Sequence, residues 1–213
     1  MDHHQILRSP LSALSAKEAL IFYYDLLRRH GYNDSHSGNA SVRDGGCIWV
    51  TPTGACADTL EADELVECRP GQAPAAGASL DAALHLAVHA ARDDIGAVLH
   101  SHGHHAVGLT LSGRDFIPPD FEGGFYFPRV PVLNIPYDRY IDEAPARVAA
   151  ALADAPICIV RGHGLYARGE NLDRAYKWSC SLEQSARTAH VALQAGLIGL
   201  DDILAPTETG ASL

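Results

Sequence analysis

The run Val98-Leu99-His100-Ser101-His102 constrains this chain more than any other feature. Successive side chains of a strand alternate between faces, so His100 and His102 point the same way from the end of an apolar strand. Two imidazoles converging on one point suit zinc and other divalent transition metals. Taken alone, the pair reads more readily as two hydrogen-bonded structural histidines at a strand end. His104 and His105 follow where a helix is expected to begin and run to about Leu111, with one of the two facing solvent. Further on, Gly162-His163-Gly164 sets a ring on backbone free to reach positive φ. Alone this is a plain turn. Joined to the first pair, it completes three imidazoles with coordination positions left open, the pattern of a catalytic rather than a structural metal.

The surrounding pattern alternates helices with strands. Ser15 and Glu18 predict a capping box for a helix whose apolar stripe includes Leu20, Tyr23 and Leu27 and which ends at Gly31. Cys47 to Val50 reads as a strand closed by the turn Thr51-Pro52-Thr53-Gly54, and residues 70–79 as a loop. Asp81 to Arg92 reads as helix and Ile95 to Leu99 as a buried strand. Arg129 to Ile135 reads as an edge or bulged strand because of its prolines. Ala144 to Ala153 reads as helix, Ile157 to Val160 as a strand, and Asn171 as the cap of a long helix ending at Gly196. His85 and His89, four apart without the Glu of a zincin motif, read as one half-buried and one surface residue. Such alternation predicts an α/β or α/β/α domain, with Ala205 to Leu213 loosely held.

Charge narrows the function. The 213 residues carry a formal charge of −10, which disfavours nucleic acid and anionic lipid as partners. Five cysteines at irregular spacing, without C-x-x-C, read as reduced thiols of a cytoplasmic protein. The first residues, Met1 to Gln5, lack a secretory pattern, and no apolar run approaches a membrane span. Ser37 to Arg43 and Thr51 to Gly54 could form a nest of donors for phosphate or carboxylate, though each reads locally as an ordinary polar turn.

In order, SGNASVR (37–43), VTPTG (50–54), Asp81, AVLHSHGHHA (97–106) and RGHGLYARGENLDRAY (161–176) resemble the class II aldolase/adducin-head family, over about residues 15–195. The resemblance implies a single domain, a three-layer α/β/α sandwich around a mostly antiparallel central sheet. It implies a homotetramer with active sites between subunits and one divalent metal per subunit, usually Zn2+, with Mn2+, Co2+ or Fe2+ as alternatives. The family's ligands fall on His100, His102 and His163, with Asp81 as ligand or base. Its anion-binding positions fall on Asn39, Thr53, Gly54 and Ser79, with Leu80 replacing a serine and His36 a threonine. Glu122 stands near the position of a proton-handling Tyr. The Tyr that family members supply from a neighbouring subunit has no counterpart in residues 197–213, which leaves Tyr126, Tyr137 and Tyr140 as substitutes or as core and interface residues.

The implied activity is an aldolase-type lyase. It would cleave a C–C bond of a small, phosphorylated or unphosphorylated hydroxycarbonyl compound through a metal-stabilised enediolate. An L-ribulose-phosphate 4-epimerase-like epimerase, and a sugar-phosphate dehydratase or decarboxylase, share that intermediate. A non-enzymatic adducin-like module is the reading from another class.

Overall fold

The structure, a computed structural model, describes residues 14–206. Of the stretch 205–213 expected to be loose, Ala205 is instead buried, its amide donating to the Asp115 carbonyl at 2.8 Å, and residues from 207 lie outside the described residues, as do the first residues read for a secretory pattern. Helix α1 (Ala16–Arg29) opens with the expected capping box. The Ser15 amide donates to the Glu18 carboxylate at 2.8 Å, and the Glu18 amide to the Ser15 hydroxyl at 3.3 Å. Gly31, at φ 73°, lets the chain leave that helix.

The strands are β1 (Asn39–Asp44), β2 (Cys47–Val50), β3 (Val66–Cys68), β4 (Ala97–Ser101), β5 (Val132–Leu133), β6 (Ile157–Val160) and β7 (Gly164–Gly169). They form one sheet in the order β3-β2-β1-β4-β7-β6-β5, and only the β5–β6 pair is parallel. The proline-rich segment 129–135 contributes just two residues, at the sheet edge, where a missing amide costs no central ladder bond. The remaining helices are α2 (Ala82–Ala91), α3 (His104–Leu109), α4 (Phe121–Tyr126), α5 (Tyr140–Asp154), α6 (Leu172–Gln194) and α7 (Leu200–Ile203).

Strand alternation distributes the core between two faces. Ala97 and Leu99 of β4, with Leu165 and Ala167 of β7, pack toward α1 and α6. Val98, Cys158, Val160 and Tyr166 pack toward α2 and α5. Helices therefore cover both faces of a mostly antiparallel sheet, the layered α/β arrangement the sequence predicts. Three strands depart from the sequence reading. The stretch beginning at Asn39, read as polar turns, is the strand β1, paired with β2 on one side and β4 on the other. Gly164 to Gly169 is the central strand β7, and Val66 to Cys68 adds an edge.

The two helical histidines also differ from expectation. His85 is fully buried and His89 nearly so. The physical reason is that α2 packs on the sheet with α5 along its flank, so its polar side chains meet a polar strip of β1 rather than water.

Candidate metal centre

Pairing of β1, β4 and β7 lays a row of polar side chains across the face under α2. Asn39 pairs with His100, and His100 with Tyr166, so all three side chains lie on one face. The Tyr166 ring stacks on His100, with centroids 4.1 Å apart and planes within 2°. His100 donates Nδ1–H to the Leu165 carbonyl at 2.9 Å, since a carbonyl only accepts. Its Nε2 is thereby left with a lone pair.

That Nε2 lies 2.9 Å from Nε2 of His102. His163, at the tip of the β6–β7 turn that Gly162 makes at φ 67°, brings its ring centroid to 4.8 Å from His100 and 5.4 Å from His102. Among the described residues, only these three histidines, His100, His102 and His163, form a group of possible metal donors within 4.8 Å of one another. Two ring nitrogens 2.9 Å apart need a shared hydrogen or a shared cation between them. Burial pushes all three imidazoles below the ordinary histidine value, which leaves their lone pairs free at neutral pH. The donor set thus fits a divalent ion of the zinc type.

The backbone around this group is held from outside it. Asn33, buried in the loop after α1, accepts the His102 amide at 3.0 Å and offers its own amide to the His100 carbonyl. Glu183 of α6, also buried, accepts the amides of His105 and Ala106 and the ring of His105. Both residues escape a sequence reading, because an Asn in a loop and a Glu on a helix carry no local signal of what they hold.

Asp81 is not part of the imidazole group. Its carboxylate accepts from Asn39 Nδ2 at 2.9 Å, from the Tyr140 hydroxyl at 2.8 Å and from the Tyr166 hydroxyl at 2.8 Å. The two phenol hydroxyls also touch each other. Burial works to raise its pKa, but the His100 ring, Asn39, His85 and Tyr140 together hold it below the usual carboxylate range. Asp81 is therefore a charged acceptor.

Behind Asn39 runs a buried chain of polar groups. Asn39 Oδ1 accepts from His85 Nε2 at 2.6 Å, and His85 Nδ1 lies 2.7 Å from the Ser41 hydroxyl. That hydroxyl is 2.9 Å from His89 Nε2, and His89 Nδ1 donates to the Ile95 carbonyl at 3.1 Å. Four contacts join these groups, and neutral side chains supply three hydrogens for them.

All the expected anion-binding positions line the same cleft as the imidazoles, a cavity of about 710 Å3. Several of their donors are already engaged. The Thr53 hydroxyl donates to the Ala78 carbonyl at 2.6 Å, and Asn39 donates to Asp81. Ser79 accepts the Asp81 amide, His36 Nδ1 rests 2.9 Å from the Ser35 hydroxyl, and Gly54 turns the chain at φ 73°. Leu80 is 73% exposed beside them. Arg161, whose Nε donates to the Leu111 carbonyl, supplies a cation to the lining. Glu122 is not brought here. It sits exposed on α4 and faces a separate cleft with Tyr32, Tyr176 and Cys180. The other tyrosines named as substitutes divide: Tyr126 packs on Trp178, Tyr137 is 98% exposed at the cleft edge, and Tyr140 reaches Asp81.

A profile of the Class II Aldolase and Adducin N-terminal domain matches residues 18–190. The L-fuculose phosphate aldolase of Methanocaldococcus jannaschii is 28% identical over 153 residues, which span 70% of this chain and 82% of that protein. The methylthioribulose-1-phosphate dehydratase of Acidiphilium cryptum is 30% identical over 164 residues, 68% of this chain and 76% of that one. The crystal structure of L-fuculose-1-phosphate aldolase from Thermus thermophilus superposes with a TM-score of 0.78 at 30% identity, covering 84% of this chain and 95% of that one. No helix among the described residues is long and apolar enough to cross a membrane.

Proposed function

The chain belongs to the class II aldolase and adducin N-terminal domain family, and on that premise we propose that it is a divalent-metal-dependent lyase opening a C–C bond of a small hydroxycarbonyl compound. The observation that carries the reading is the convergence of His100, His102 and His163 beside the buried Asp81 carboxylate in one cleft. A divalent ion on the three imidazoles, zinc by preference, supplies Lewis acidity to a hydroxycarbonyl group.

The chain's own residues do the rest. The carboxylate of Asp81, beside the His100 ring, would take the substrate hydroxyl proton as the C–C bond opens to an aldehyde and return it to the carbon that keeps the bonding pair. Arg161 and His36, which line the cleft, orient an anionic end of the substrate, phosphate or carboxylate. Leu80, Pro52 and Ile135 give the cleft an apolar part of its lining. A homotetramer, which the family resemblance implies, and a reducing cytoplasm, which the free cysteines suit, belong to the same proposal. Elimination of water is the second reading, favoured by the likeness to the Acidiphilium cryptum dehydratase.

An NMR product screen tests both. Zinc- and manganese-loaded protein is offered matched phosphorylated and unphosphorylated ketoses and 3-hydroxy acids. An aldehyde product supports cleavage, and loss of water without fragmentation supports the second reading. Silence across the panel, with no metal retained, refutes both and favours a binding module. In parallel, His102→Ala should fold and lose its metal.

A further inference from the structure

Asp81 stands beside three converging imidazoles, yet its carboxylate points into a set of hydrogen bonds. Tyr140 comes from the first turn of α5, Tyr166 from the middle of β7, and Asn39 from the start of β1. The Tyr166 ring is fully buried and stacked on His100, and Tyr140 packs edge-on against His163 at 4.8 Å. The Asn39 amide cannot rotate to release Asp81, because turning it over would set its NH2 against His85 and its oxygen against the carboxylate. Three donors hold its two oxygens in place, about one of their four acceptor positions stays open, and the carboxylate lies outside the set of donor atoms that converge within 4.8 Å.

We infer that Tyr140, Tyr166 and Asn39 act as positioning residues that keep Asp81 out of the metal's ligand set, so that the ion is held by His100, His102 and His163 alone. This rests on the metal-centre reading above. Its consequence is chemical. A carboxylate that is not a ligand leaves one more position on the ion for a bidentate hydroxycarbonyl, and it keeps its own charge for the substrate proton.

Co2+ as the probe metal reads the ligand set directly, through its visible d–d bands. The wild type and Asp81→Asn should take up one Co2+ per chain with the same band positions and intensities. The double variant Tyr140→Phe/Tyr166→Phe should show weaker, shifted bands as the freed carboxylate joins and the coordination number rises. Adding Asp81→Asn to that pair should restore the wild-type spectrum. Because the Tyr166 ring is wholly buried, circular dichroism checks the fold, and the single variant Tyr140→Phe, at the part-buried hydroxyl, should shift the bands in the same direction. A changed spectrum in Asp81→Asn alone overturns the inference, and so does an unchanged one in the folded tyrosine variants. Failure of the wild type to bind Co2+, or a His102→Ala spectrum equal to wild type, instead overturns the metal-centre reading itself.

Discussion

Lowering the pH should unfold this protein through the two histidines beneath the sheet, well before its carboxylates protonate. Burial pushes His85 down to about 4 and His89 down to about 3, the Asp81 charge opposing it at His85 and the bond to the Ile95 carbonyl opposing it at His89. The unfolded chain binds protons at an ordinary histidine value of about 6.5, so between there and pH 4 it holds more protons than the folded chain. Stability is then complete above about pH 6.5 and is lost as the pH falls, at about 1.4 kcal/mol per unit and per imidazole. From pH 7.5 to pH 5 each ring costs about 2 kcal/mol, so the pair costs about 4 kcal/mol, a large part of an ordinary stability. The three cleft imidazoles are lowered as well and act in the same direction without metal.

Urea melts of the metal-free protein at pH 7.5, 6.5 and 5.0 measure the loss, and the Cε1–H resonances of His85 and His89 should show no titration midpoint across that range. A flat stability curve, or a midpoint of either resonance above pH 5, refutes the argument. It would mean that an added proton supplies the fourth hydrogen missing from the chain between Asn39 and Ile95, and that this outweighs burial.

Two further substitutions test the supports of the site. A methyl group at Gly164 would stand 2.6 Å from His100 Cε1 and from the Ser101 carbonyl. Gly164→Ala should therefore weaken zinc binding by about tenfold or more, read by competition with a chromophoric chelator. Asn171 accepts the Arg174 amide at 2.9 Å and caps the 23-residue α6. Asn171→Ala should cost about 1 kcal/mol, a fall of a few degrees in Tm by calorimetry.

The parts legible in the sequence are those whose signal is local. Ser15 and Glu18 announce the start of α1, Asn171 that of α6, and Val98 to His102 a buried strand leading to two rings on one face. The parts missed are those whose meaning lies across the sheet. Asn39 and Ser41 look like turn residues because they are polar, and only the partners on α2 make them fit for a central strand. The turn read at Gly162 to Gly164 hides the strand that follows it, although Leu165, Tyr166 and Ala167 are fully buried. His85 and His89 read as half-buried and surface residues until α2 is set on the polar strip of β1. For the same reason no local pattern links Asp81 to Tyr140 or Tyr166, which approach it from 59 and 85 residues away.

The β4–β7 pairing sets an order of events. Tyr166 lies opposite His100 and Leu165 opposite Ser101, although some 65 residues separate the strands. A slip of one residue would turn the aliphatic face of β7 into the cleft and carry the tyrosine away from both the carboxylate and the imidazole. Closing so distant a pair is slow compared with forming α1 or α6, whose contacts are local. The three imidazoles therefore come together late in refolding, after most of the helix has formed. A metal-sensitive dye followed beside far-ultraviolet dichroism would time the arrival of β7 as a separate, slower phase.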